Sequence, residues 1–154
     1  MPPHYFVDEP WLALYDEPLL EPGLPIVDAH HHLWDREHNR YLLPQLLLDI
    51  DRSGHDVRAT VFMECSAMYR QDGDPACACV GEVEFANGEA AKSASGLYGG
   101  TRACAGIVGH VDLTGGAAAG PLLEAMIRRA PGRFRGVRYM TAFDASPQLA
   151  EVVR

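Results

Sequence analysis

Three consecutive histidines follow a short apolar run near the start of the sequence. The segment Leu-Pro-Ile-Val-Asp-Ala-His-His-His occupies residues 24–32. Successive side chains of a β-strand point to opposite faces, so His30 and His32 should share a face with Asp28, and His31 should point away. Neutral imidazole is a favoured ligand for zinc and neighbouring transition metals. We therefore predict that His30 and His32 bind a divalent metal ion, with Zn²⁺ and Mn²⁺ as the leading candidates.

Asp28 lies deeper in the same predicted strand than the two histidines. Carboxylates commonly orient metal-binding histidines from behind, so we predict this supporting role for Asp28. The alternative for the whole triplet is a polar strand end, or core histidines whose hydrogen bonds are satisfied within the protein.

Two histidines do not complete a catalytic zinc site, which has three protein ligands and one open position. Glu64 and His110 each end a further apolar run, at 57–64 and 103–110. We predict catalytic roles for both residues, and either could also supply a metal ligand. Glu64 equally fits a carboxylate bound to loop amides or to Arg70, and His110 equally fits a cap of the loop that follows it.

Arg138 interrupts the fourth apolar run, at 134–140. Burying an arginine without a partner is costly, so Arg138 should meet a carboxylate of the protein or of a substrate. We predict that it binds a small anionic substrate, with a salt bridge inside the protein as the alternative. Trp34 and Tyr69 follow the first and second predicted strands and are candidates to line the substrate pocket, or else pack against the core.

The elements that must position these residues alternate along the chain. Strands are predicted at 24–30, 57–64, 103–110 and 134–140, and helices at 42–50, 82–94, 121–130 and from 146 onward. Alternating strands and helices predict an α/β fold with a parallel sheet, and in barrels of this type catalytic groups gather at the carboxyl ends of the strands. Residues 1–23 are predicted to form an irregular lead-in that wraps the domain. Its candidate anchors are Trp11, Leu12, Leu14 and Leu19.

Composition narrows the classes of partner and compartment. The chain has 21 acidic and 13 basic residues and a formal charge of −8, which argues against nucleic acid as a partner. It contains no apolar run of membrane-spanning length and no signal-peptide pattern, so no membrane partner is expected. The four cysteines lack the spacing of a disulfide framework, which favours free thiols and a cytoplasmic location.

Two segments resemble one known family. Residues 25–34, Pro-Ile-Val-Asp-Ala-His-His-His-Leu-Trp, resemble the opening strand of the amidohydrolase-related proteins, most closely the branch with sugar-acid lactonases and the pyrone-dicarboxylate lactonase. Residues 134–138, Phe-Arg-Gly-Val-Arg, resemble the fourth strand of that branch. The resemblance implies a TIM-type barrel that hydrolyses a lactone, in which a divalent ion or positive side chains polarise the carbonyl and a carboxylate assists water. By position, His30 and His32 match the first-strand metal pair.

The resemblance covers about four βα units of an eight-fold barrel, so residues 24–154 are expected to be the amino-terminal half of a truncated barrel. A half-barrel would expose two sheet edges and its inner face, and we expect it to be either poorly stable or self-associating. The only lysine, Lys92, lies in a predicted helix, so a two-metal site with a carboxylated fourth-strand lysine is not expected. Some lactonases of this branch work without metal, which leaves a metal-free reaction open. A non-oxidative decarboxylase of the wider family and a non-catalytic remnant are the alternative functions.

Overall fold

The computed structural model describes residues 8–15, 17–37, 39–141 and 145–146. Strands and helices alternate through most of this range. In chain order the elements are α1 (Glu9–Leu12), β1 (Pro25–His31), β2 (Trp34–Arg36), β3 (Asn39–Tyr41), α2 (Leu43–Ser53), β4 (Asp56–Met63), α3 (Val80–Ala94), β5 (Arg102–His110), α4 (Ala119–Arg129) and β6 (Phe134–Arg138). Two short 3₁₀ helices, Pro75–Cys77 and Leu113–Ala118, precede α3 and α4.

The main sheet has the strand order β1-β4-β5-β6, and every pairing in it is parallel. Each crossover carries a helix, as parallel pairing requires, and the chain moves one strand along the sheet at every step. The strands β2 and β3 form a separate antiparallel hairpin between β1 and α2. The predicted parallel α/β sheet is therefore confirmed, with strand limits within two residues of those predicted.

The core lies between the sheet and its helices. Phe62 of β4 and Ile107 of β5 are fully buried, and Val83 of α3 and Met126 of α4 pack in the same cluster. A Cβ atom at Gly109 would lie 3.1 Å from the Met126 sulfur and 3.1 Å from a Val83 methyl carbon. The small residue therefore lets α3 and α4 sit directly on β5. Each large apolar side chain buried here contributes about 1.5–3 kcal/mol to stability.

The lead-in and the chain end differ from the sequence expectations in part. Trp11, Leu12 and Leu14 are 66%, 53% and 77% exposed, so the prediction that they anchor the lead-in is wrong. The one-turn helix α1 buries no residue, and the core is formed by the sheet together with α2, α3 and α4. Leu19 does contact the domain, with its Cδ1 atom 2.6 Å from the place of a Cβ at Gly54. The helix predicted from 146 onward lies outside the described residues. None of the described helices combines the length and apolarity that crossing a bilayer requires.

Candidate metal and catalytic site

The carboxyl ends of the four parallel strands bring together five of the residues predicted to act in function. His30 lies near the end of β1 and His32 directly follows that strand, Glu64 follows β4, His110 ends β5 and Arg138 ends β6. In register, His110 lies opposite Arg138 across the β5–β6 pair. Parallel strands end at one edge of the sheet, so residues far apart in sequence meet there.

His30 and His32 point at each other. Their Nε2 atoms lie 3.2 Å apart, and their rings are nearly perpendicular. His32 Nδ1 lies 2.9 Å from the carbonyl oxygen of Met63. A carbonyl can only accept, so His32 Nδ1 carries a proton and the neutral ring has its lone pair on Nε2. Metal-binding histidines usually donate their second ring nitrogen in this way.

The His30 ring has a comparable constraint. The Arg138 Nη1 atom lies 3.5 Å from His30 Nε2, and a guanidinium group can only donate. A neutral imidazole nitrogen has one lone pair, so His30 Nε2 either accepts from Arg138 or meets His32 Nε2 through a proton or a metal cation held between the two nitrogen atoms. Zn–N bonds of about 2.0–2.1 Å at a tetrahedral angle place two ligand nitrogen atoms about 3.3 Å apart. The observed separation of 3.2 Å fits two ligands of one ion.

The described residues supply no complete ligand set. Within the described ranges, no group of three or more His, Cys, Asp or Glu side chains is arranged to hold a metal ion. Glu64 is turned toward Arg138, and Asp28 accepts a hydrogen bond from the His30 backbone amide at 3.0 Å. Asp28 thus fixes the backbone of the first histidine, whereas the predicted support was of its ring.

His31 occupies the opposite face of β1, as the strand alternation predicts. It is 7% exposed, and its Nε2 atom lies 2.8 Å from Thr60 Oγ1 and 3.7 Å from the Cys104 sulfur. Burial lowers the pKa of His31 to about 4, from an ordinary value of 6.5, so the ring is neutral at physiological pH. His31 belongs to the packed core and takes no part in the strand-end site.

Glu64 and Arg138 form the most tightly bonded pair of the site. Arg138 Nε donates to Glu64 Oε1 at 2.6 Å, and its Nη2 atom donates to the Glu64 backbone oxygen at 2.8 Å. His110 Nδ1 lies 3.9 Å from Glu64 Oε2, and the His110 ring is 5.7 Å from that of Tyr139. The carboxylate required by Arg138 is therefore supplied by the protein, the alternative raised from sequence. The Nη1 group remains directed at His30.

The two aromatic residues predicted to line a pocket differ in placement. Trp34 lies in β2, where a loop was predicted, and its ring is 6.3 Å from that of His32. Its indole donates to Asn39 Oδ1 at 2.8 Å, which fixes it beside the histidine pair. Tyr69 is half-buried against the core, and burial raises its pKa to about 12. Trp34 therefore borders the site, whereas Tyr69 has mainly a packing contact.

Two residues near the site were missed in the sequence. Arg36 donates to the Cys65 carbonyl at 3.3 Å and lies over the Trp34 ring, with its guanidinium carbon 5.6 Å from the ring centre. Glu82 of α3 is completely buried and binds backbone amides of the β4–α3 segment. In the sequence, Glu82 begins the predicted helix at 82–94, where an acidic residue is favourable for the helix dipole, and nothing in the sequence shows that its side chain faces inward.

A separate concavity of about 800 Å³ lies at the other end of the sheet. It is bordered by α2, the start of β4 and the segment 98–101, and none of the strand-end residues lines it. All four cysteines have free thiols. Comparison of the chain with protein-family models, with curated proteins and with solved structures found no match.

Proposed function

We propose that this chain carries the metal-binding part of a hydrolase of the amidohydrolase-related type, acting on a lactone ring of a small anionic substrate. The observation that carries the proposal is the His30–His32 pair, with Nε2 atoms 3.2 Å apart and His32 fixed through Met63. The parallel sheet fits part of a TIM-type barrel, whose active sites lie at the carboxyl ends of the strands. The free thiols fit a cytoplasmic location.

In this proposal His30 and His32 would hold a zinc or manganese ion. A bound ion of this kind polarises a carbonyl and activates water. Glu64 accepts the proton of the attacking water at Oε2, the oxygen that faces His110 at 3.9 Å. Glu64 would pass that proton on to His110 Nδ1, and His110 would donate the proton of its other ring nitrogen to the leaving oxygen as the ring C–O bond breaks. Arg138 holds Glu64 through Nε, and its Nη1 group, which lies 3.5 Å from His30 Nε2 and carries two protons, would donate one of them to a carboxylate of the substrate.

Zinc titration by calorimetry of the full chain tests the metal step. His30→Ala and His32→Ala should each weaken zinc affinity by at least about 100-fold, since changes to residues that merely support ligands cost about 10–100-fold. His55→Ala is the matched control, because it removes an exposed histidine at the opposite end of the sheet. Equal zinc affinity in all three variants would refute the metal site.

Assays of the zinc-loaded and manganese-loaded chain test the reaction. A panel of sugar-acid and aromatic lactones, each with and without a free carboxylate, is followed by proton release on ring opening. Hydrolysis that requires the carboxylate supports the proposal. Release of carbon dioxide without ring opening would favour a decarboxylase, and metal binding without either reaction would favour a non-catalytic remnant. Light scattering of the same samples gives the molar mass in solution and so tests the proposed self-association through the edge strands β1 and β6.

A further inference from the structure

The segment that follows Glu64 is held by a buried glutamate of α3. Glu82 is 0% exposed, and its Oε1 atom accepts hydrogen bonds from the backbone amides of Cys65 and Ala67, both at 2.8 Å. Its Oε2 atom is buried and has no hydrogen-bond partner among the described residues. Burying a carboxylate is costly. These two hydrogen bonds from backbone amides offset part of that cost and hold the Glu82 side chain in place.

The backbone of the same segment adopts an unusual conformation. Ser66 and Met68 have φ values of 60° and 54°, in the left-handed region that residues other than glycine rarely occupy. Such conformations persist only where the surroundings impose them. Residues of this kind can turn nearby amide groups toward one point. In this protein the amides of Cys65 and Ala67, on either side of Ser66, both point at Glu82 Oε1.

The neighbouring residue of α3 is shaped for the same contact. A Cβ atom at Gly81 would lie 2.6 Å from the Met68 carbonyl oxygen and 2.9 Å from the Arg70 amide nitrogen. The first turn of α3 therefore approaches the segment more closely than a side chain at Gly81 would permit. Gly81 and Glu82 together seat residues 65–70 against the helix.

We propose that Glu82 is a positioning residue for Glu64. The Glu64 amide donates to the Val108 carbonyl, and the Glu64 carbonyl accepts from Arg138 at 2.8 Å. The Cys65 amide, one residue further, is bound by Glu82. The chain is thus fixed on both sides of the Glu64 side chain, which directs its carboxylate at Arg138. The inference depends on the proposed function only for the role given to Glu64.

Hydrogen exchange of the full chain, followed by NMR, tests this proposal with Glu82→Ala. The matched control is Glu89→Ala, which removes another buried glutamate of α3 that contacts Lys92 and has one unpartnered oxygen among the described residues. The amides of Cys65 and Ala67 should exchange about tenfold faster in Glu82→Ala than in Glu89→Ala, as expected for one lost hydrogen bond. The Arg138 Nε–H proton, which reports the bond to Glu64, should exchange faster by a similar factor.

Glu82→Gln should restore both protections, since its amide oxygen can accept from the same two backbone groups. If Glu82→Ala does not fold, Glu82→Asp, whose carboxylate is one methylene too short, takes its place. Faster exchange at Cys65 and Ala67 with an unchanged Arg138 proton would overturn the positioning role, and so would no change at any of the three. Absence of zinc binding in the wild-type chain would remove the proposed function and leave this exchange result standing.

Discussion

The two faces of β1 carry the same residue type in opposite surroundings. On the packed face, His31 is 7% exposed, contacts Thr60, and burial lowers its pKa to about 4. On the open face, the Nε2 atoms of His30 and His32 meet at 3.2 Å beside the guanidinium group of Arg138. The comparison shows that a run of histidines has no single role. Strand alternation separates the residues, and burial or convergence then decides what each one does.

Removal of the packed histidine should have the largest effect on stability. His31→Ala empties a buried volume and removes one of the two hydrogen-bond partners of the Thr60 hydroxyl, and we expect the free energy of unfolding to fall by about 2–4 kcal/mol. Urea denaturation in metal-free buffer measures it. His30→Ala is the control, and its exposed site predicts a change within about 0.5 kcal/mol. Similar losses in the two variants would break the comparison between the faces.

Among the residues at the carboxyl ends of the strands, substitution of Arg138 should lower the free energy of unfolding most. Arg138→Leu leaves the Glu64 side chain, which is 11% exposed, without its charged partner. Because the Arg138 side chain is itself 37% exposed and water screens the pair, we expect a loss of about 1–2 kcal/mol by urea denaturation. Arg128→Leu breaks an exposed helical pair with Glu124 and should cost about 0.3–0.5 kcal/mol. An equal cost for the two arginines would show that Glu64 does not depend on Arg138.

Two glutamates of α3 should contribute to stability with opposite dependence on pH. These are the smallest effects that we expect. Burial raises the pKa of Glu82 above its ordinary value of 4.5, so the unfolded chain loses this proton first and stability falls as pH rises above 4.5. Glu82→Gln should therefore gain stability relative to wild type from pH 4.5 upward, until the folded pKa is passed. The hydrogen bonds from Arg70 hold the pKa of Glu84 below 4.5. That contribution is present above pH 4.5 and lost as pH falls below it, so Glu84→Gln should lose stability relative to wild type as pH rises toward 4.5 and stay level above it.

Thermal unfolding of wild type and both variants between pH 2 and pH 7 measures these slopes. The difference curve of Glu84→Gln should fall with rising pH below pH 4.5, and that of Glu82→Gln should rise above pH 4.5. Curves with the same sign would mean that burial of Glu82 does not outweigh its two amide donors.

The prediction of the sheet succeeded because its signal is local. The apolar runs around Val57–Met63 and Ala103–His110 have the length and composition of buried parallel strands, and turn residues bound them. The lead-in was predicted less well, because Trp11 and Leu14 are apolar residues of the kind that anchor a segment, yet both are exposed. Sequence reports apolarity, and only packing shows whether an apolar side chain finds a surface to cover.

The candidate site was likewise predicted only in part from the sequence. The spacing of His30 and His32 was sufficient to place them on one face, and the end of each apolar run identified Glu64, His110 and Arg138 as neighbours. The sequence could not predict that Glu64 is the partner of Arg138, because the two residues are 74 positions apart and several other carboxylates were candidates. Glu82 and Arg36 were missed because each acts on backbone groups of the β4–α3 segment, and backbone groups leave no trace in the sequence.

The amino-acid sequence by itself determined the parallel α/β sheet and the face of β1 on which each histidine lies, because alternation and apolar runs are properties of neighbouring residues. Only the tertiary structure decided which partners these side chains meet. The distances from His32 to Met63, from Arg138 to Glu64 and from Glu82 to the Cys65 amide depend on how separate elements pack, and packing is a property of the whole chain.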